Sequence, residues 1–161
     1  MSVNTVAHLN FHGEAGEALK FYQSVFGGDV QIATYGDFGM PKNLPDAEKV
    51  VFGQIVAPNG FRVMAYDVPG TDVPGTDVPG VEEPVGVAPA TRRENGMTIT
   101  TEKFFLAVRG ETTDEVGAFW EKLSVGATII EPFGPAQWAP AFGMLTDRFG
   151  TSWILDVAAS Y

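Results

Sequence analysis

The chain contains no cysteine and only two histidines among its 161 residues. The first absence excludes disulfides and thiolate-bound metal, and it leaves the redox compartment open. Positive charge is also scarce: 10 Lys and Arg stand against 20 Asp and Glu, a formal net charge of −10. That balance argues against a broad nucleic-acid or anionic-membrane surface, because phosphates are repelled. No apolar run approaches the roughly 18 residues of a membrane-spanning helix. Met1 to Leu9 has neither the basic start nor the apolar stretch of a secretion signal. A soluble, cytoplasmic protein is the expectation. Phosphate-binding glycine loops, Gly-x-Ser-x-Gly and His-Glu-x-x-His are missing as well.

Hydrophobic residues are plentiful at 45%, which excludes a disordered acidic chain. The 19 glycines and 11 prolines point to many turns and short strands rather than a helix bundle. The length suits one domain, or two small modules sharing a core.

An internal repeat supports two modules. His12-Gly13-Glu14 leads into Phe21-Tyr22, then Gly27-Gly28, then Val30-Gln31-Ile32. Arg109-Gly110-Glu111 leads into Phe119-Trp120, then Gly126, then Thr128-Ile129-Ile130, at an offset of 97 to 98 residues. Ala15, Ala18, Leu19, Tyr22, Val25 and Phe26 recur at helical spacing, as do Val116, Phe119, Trp120 and Leu123. Thr112 and Glu115 have capping-box spacing, and glycine follows each helix, where a left-handed residue ends it. Strands are predicted before the helices at Thr5–Phe11 and Lys103–Val108, and after them at Val30–Tyr35 and Thr128–Glu131. Two hairpins follow, Lys49–Ala57 with Phe61–Asp67 and Phe142–Thr146 with Thr151–Val157, each turning at a glycine. The fold class is therefore α+β, with two βαβββ modules at 1–67 and 99–161 in one structural domain. Residues 68–98 form a Pro/Gly-rich linker that holds the tandem repeat DVPGT-DVPGT-DVPG. A binding lid is the functional alternative for this repeat, but its five-residue spacing with interposed proline does not build a calcium cage.

His8-Leu9-Asn10-Phe11 with Gly13, Ala18-Leu19-Lys20-Phe21-Tyr22, Val25-Phe26-Gly27-Gly28 and the run from Gly143 to Trp153 (GMLTDRFGTSW) resemble the vicinal oxygen chelate superfamily. Its members include glyoxalase I, bleomycin-resistance proteins and extradiol dioxygenases, and the likeness is to its PhnB-like branch. The resemblance implies curved mixed sheets around a cavity, and a homodimer. Fold does not fix function in so varied a superfamily.

Superfamily enzymes typically hold one divalent metal through side chains from the first and last strands of each module. At an offset of 97, Leu9 and Phe11 match Leu106 and Val108, which face the helix. The four ligand positions then read His8, Met64, Phe105 and Ile154. Three of these lack a metal donor, and one histidine does not make a divalent site. Asp156, two residues from Ile154, is the one nearby carboxylate. No metal and no cofactor are expected. Some relatives are named as methyltransferases, but no strand here leads into the glycine-rich helix start of a nucleotide-type cofactor.

Candidate ligand-binding residues are His8, Asn10, Gln54, Met64, Phe105, Trp138 and Ile154. His8 is also the candidate general acid or base, although a locally hydrogen-bonded wall histidine explains it too. Asn10 and Gln54 put amides on the inner face, where they read a ligand's donors and acceptors or serve turn and dimer contacts. Tyr35 and Trp138 stack on a planar ligand or pack in the core. His12, Asp37, Glu102 and Glu131 read as solvated. Asp147-Arg148-Phe149-Gly150 reads as a hairpin turn, and Trp153 as core. The expected function is metal-free small-molecule binding of the glyoxalase/bleomycin-resistance type. A metal-dependent glyoxalase- or dioxygenase-like enzyme and a structural or partner-binding dimer are the alternatives.

Overall fold

Strand alternation and helical spacing shape each half of the chain separately. The structure, a computed structural model, describes residues 3–70 and 90–159. Two compact units divide it, Met1–Glu83 and Pro84–Tyr161. All of the DVPGT repeat beyond its first four residues, Asp67 to Gly70, lies outside the described residues, and the boundary between the units falls there too.

In the first unit, β1 (Ala7–Phe11) leads into α1 (Ala15–Phe26), followed by β2 (Asp29–Thr34), a 3-10 turn (Pro45–Glu48), β3 (Val50–Val56) and β4 (Arg62–Asp67). The sheet order is β1-β4-β3-β2, with β1 parallel to β4 and the remaining pairs antiparallel. The six apolar residues read at helical spacing in α1 are the six it buries. They meet Leu9, Phe11, Ile55, Val63 and Ala65, all buried. Each large aliphatic or aromatic side chain so buried contributes about 1.5–3 kcal/mol, so packing rather than helix propensity holds α1 in place. Glu14 at the N-cap makes no side-chain capping bond to the helix. Asp67 of β4 does that work instead: Oδ1 accepts the amides of Gly13 (2.8 Å) and Ala15 (3.0 Å), and Oδ2 accepts that of Val50 (2.9 Å).

The second unit repeats the plan. β7 (Leu106–Gly110) precedes α2 (Thr113–Leu123), β8 (Thr128–Ala136), β9 (Ala139–Thr146) and β10 (Ser152–Val157), with sheet order β7-β10-β9-β8. Thr112 caps α2 by accepting the Glu115 amide at 3.2 Å. The sequence ends the strand after α2 at Glu131, yet β8 runs on to Ala136 through Pro132 and Pro135. It is an edge strand with shifted register, and an edge accommodates residues that cannot donate to a ladder. The fold is thus α+β, two βαβββ modules with mixed sheets.

The chain differs from expectation just before β7. β5 (Thr91–Glu94), inside the stretch assigned to the linker, pairs antiparallel with β6 (Met97–Thr100), which crosses the linker's boundary at residue 98. Their turn is Asn95-Gly96, with φ of 52° and 75°, the two positive angles that a two-residue hairpin needs. No helix among the described residues is long and apolar enough to cross a membrane.

Candidate functional site

Alternation along β1, β3 and β4 places one set of side chains against α1 and the other on the opposite, open face. His8 lies beside Met64, Asn10 beside Tyr66, and Met64 beside Gln54. Four of the residues singled out from sequence (His8, Asn10, Gln54 and Met64) therefore share one face. His8 Nδ1 is 3.2 Å from Asn10 Oδ1. A carboxamide oxygen there accepts from Nδ1–H, and the tautomer that makes this bond leaves Nε2 as the acceptor. The Tyr66 ring meets the imidazole edge-on at 5.3 Å, and Gln54 Nε2 donates to Gln31 Oε1 at 2.7 Å. The face thus offers an oriented imidazole, amides and an aromatic edge side by side.

Tyr35 lies close to this face without stacking on it. Its hydroxyl donates to the Asp67 carbonyl at 2.9 Å. Burial first, then the neighbouring Tyr66 and Asp67, raises its pKa above the ordinary tyrosine value. Asp37 is a local turn cap: its carboxylate accepts the backbone amide and hydroxyl of Thr34, and those bonds lower its pKa.

In the second unit Ile154 pairs with Ala107, and Asp156 with Arg109. The β3–β4 and β9–β10 turns carry matching hydrogen bonds, Ala57 to Phe61 and Asp147 to Thr151, which sets Met64 against Ile154. The counterpart of His8 is then Ala107, and Phe105 is corrected from that role: it lies one residue ahead of β7. The error is a two-residue slip, and a slip of two preserves the face. Trp153 is buried and donates from Nε1 to Asp147 (2.8 Å), whose other oxygen accepts the Phe149 and Thr151 amides. This confirms the turn and core roles read for these residues.

The second unit contains a cavity of about 190 Å³. Arg109, Trp138, Ala139 and Asp156 contribute to its lining. Arg109 grips Asp156 through Nε (3.0 and 3.2 Å) and Nη2 (2.6 Å). Trp138 is 56% exposed and stands edge-on to Phe142 at 5.4 Å. Of the residues chosen from sequence, Trp138 lines this cavity and Ile154 sits on the same strand as Asp156. Tyr66, Gln31 and Arg109 were not singled out. The signal for each was its place on a strand, in register with a residue that was.

A family model of the glyoxalase/bleomycin resistance protein/dioxygenase superfamily matches residues 5–155. The chain belongs to this superfamily. Among solved structures it is similar in fold to protein PA1353 from Pseudomonas aeruginosa, with a TM-score of 0.69 at 24% identity over 99% of this chain and 100% of that one. A PhnB protein from Bacillus cereus, described as a putative 3-demethylubiquinone-9 3-methyltransferase, gives 0.62 at 24% identity over 97% and 100%. A glyoxylase/bleomycin resistance protein/dioxygenase domain from Frankia sp. EAN1pec gives 0.59 at 12% over 99% and 94%. No curated protein matches the chain.

The divalent metal of superfamily enzymes does not fit the residues present. The positions that the resemblance gives hold His8 and Met64 in the first unit and Ala107 and Ile154 in the second, so neither unit supplies more than one of the usual donors. Among the described residues, no three His, Asp or Glu side chains gather as a metal site requires. Asp156, two residues from Ile154 on β10, is held by Arg109.

Proposed function

We propose that this superfamily member binds an organic small molecule on the open face built by His8, Asn10, Met64, Tyr66 and Gln54, without a resident metal. The His8–Asn10–Tyr66 cluster carries this reading: an imidazole oriented by an amide at Nδ1 turns Nε2 toward a ligand beside an aromatic edge. A few convergent polar groups on an apolar and aromatic background are the usual make-up of a ligand site. Metal-free binding agrees with Met64, Ala107 and Ile154 standing where donors would be needed. Phe52 and Val56 project from the same face and stay partly exposed, which supports the homodimer as part of the proposal.

Thermal-shift screening with donor-bearing aromatic and heteroaromatic libraries tests the reading, since a ligand that prefers the folded state raises its melting temperature. Stabilising hits are expected, and their shifts should be unchanged by EDTA. Silence across such libraries sinks the binding reading. One tightly held divalent ion per chain, in protein purified without chelator, overturns the metal-free part.

A further inference from the structure

The open faces of the two sheets are treated differently. On the first, the pair at the centre of β2 and β3 is Gln31 and Gln54, hydrogen-bonded to each other. The matching pair on the second is Glu131 and Met144, and both are engaged by the β5–β6 hairpin. Arg93 of β5 donates from Nε to Glu131 at 2.9 Å and from Nη1 to Thr98 at 3.0 Å. Thr98 of β6 points its hydroxyl at the Met144 sulfur, 3.7 Å away. Just beyond the hairpin, Glu102 accepts from Ser152 of β10 at 2.8 Å and from Thr91 of β5. Ser152 is in turn linked to Thr146 of β9 at 2.9 Å. One carboxylate therefore ties the hairpin to the sheet at one end, and one ion pair ties it at the other. Met144 is left 1% exposed, whereas Met97 on the hairpin itself is 58% exposed.

We propose that the β5–β6 hairpin is a latched strap that holds the open face of the second module closed, with Arg93–Glu131 and Glu102–Ser152 as its two latches. Its attachments are almost wholly polar. Threonines 91, 98 and 100 face the sheet side of the hairpin's bonds, and no large apolar side chain of the hairpin is buried. A segment held by few apolar contacts opens locally at a lower free energy than the sheet beneath it. The consequence for ligand binding rests on the function proposed above: the first module's face is the one on offer while the strap is latched.

The test needs no ligand. The full chain is treated with dilute hydrogen peroxide, and sulfoxide formation at each methionine is followed by peptide mass spectrometry. Met97 should oxidise quickly and Met144 slowly in the unmodified chain. In the double variant Arg93→Ala/Glu102→Ala, loss of one ion pair and one carboxylate bridge should speed Met144 oxidation by on the order of tenfold. Arg92→Ala, which breaks only the exposed Arg92–Glu94 pair within the hairpin, should leave Met144 protected. Amide exchange over 97–100 should rise in the double variant, while exchange over β10 stays unchanged. The proposal fails if Met144 oxidation does not accelerate, if Arg92→Ala accelerates it equally, or if β10 exchange rises alongside the hairpin's. The last outcome would mean that the whole unit had loosened. A silent ligand screen would sink the binding function and leave this result untouched.

Discussion

Trp120 covers Gly143 so closely that a Cβ on the glycine would lie 2.7 Å from the indole and 2.9 Å from the Phe133 backbone. Gly53 holds the matching place in the first module, beneath Leu19. Each glycine lets its helix settle on the middle of its sheet. Gly143→Ala should therefore cost about 1–3 kcal/mol, the usual range for overpacking. Gly53→Ala should cost less, because its closest obstacle is the end of a leucine side chain rather than a ring and a backbone. Urea unfolding of the two variants checks the order, and equal costs would contradict it.

Asp67 should be the most sensitive polar position in the first module. It is buried and accepts three backbone amides, two of them at the start of α1. Asp67→Ala leaves those donors without a partner, and hydrogen bonds to a charged group are worth about 1.5–3 kcal/mol each. A loss of about 3 kcal/mol or more is expected by urea denaturation. Asp67→Asn should lose less, since the amide retains one acceptor oxygen. A loss below about 1 kcal/mol in Asp67→Ala would refute this account.

The two-module plan was legible because it rests on repeating local signals: helical spacing around Tyr22 and Trp120, glycine after each helix, and alternation in β4 and β10. Asp67 was not legible as a cap, because its partners lie 17 to 54 residues away and no local motif links them. The likeness of His12-Gly13-Glu14 to Arg109-Gly110-Glu111 pairs Phe105 with His8, two residues out of the sheet's own register. Sheet register, not loop similarity, decides which residues stand side by side. The hairpin did carry a local signal in Asn95-Gly96, flanked by Thr91–Glu94 and Met97–Thr100, but the neighbouring proline-rich repeat masked it. The Arg109–Asp156 pair needed the parallel register of β7 and β10, which sequence spacing does not supply.

Tyr35 should make stability fall at alkaline pH. Its pKa in the folded protein is raised, chiefly by burial. At neutral pH the phenol is protonated in both states, and its bond to the Asp67 carbonyl contributes about 1 kcal/mol. Above pH about 10 the unfolded chain releases the proton first, so the folded state loses ground as pH rises through the folded pKa. The advantage of the unmodified chain over Tyr35→Phe should shrink across that window. Urea titrations of both proteins from pH 7 to pH 11 measure it, and a constant difference would show that Tyr35 is not the responsible group.

His8 and Asn10 should affect a bound ligand unequally while leaving the empty protein almost unchanged. Both are exposed, and surface substitutions of this kind usually shift stability by less than about 0.5 kcal/mol. His8→Ala removes the acceptor Nε2 itself, so a ligand donating to it should bind about five- to tenfold more weakly, the equivalent of one ordinary hydrogen bond. Asn10→Ala leaves the imidazole in place but frees its tautomer, so affinity should fall by a smaller factor. Tyr66→Phe keeps the ring edge that meets His8 and should be nearly silent. Calorimetric titration of a screening hit against the three variants reads this order. A hit that binds His8→Ala and the unmodified chain with equal affinity does not use this face, and the binding function would then have to be sought elsewhere on the molecule.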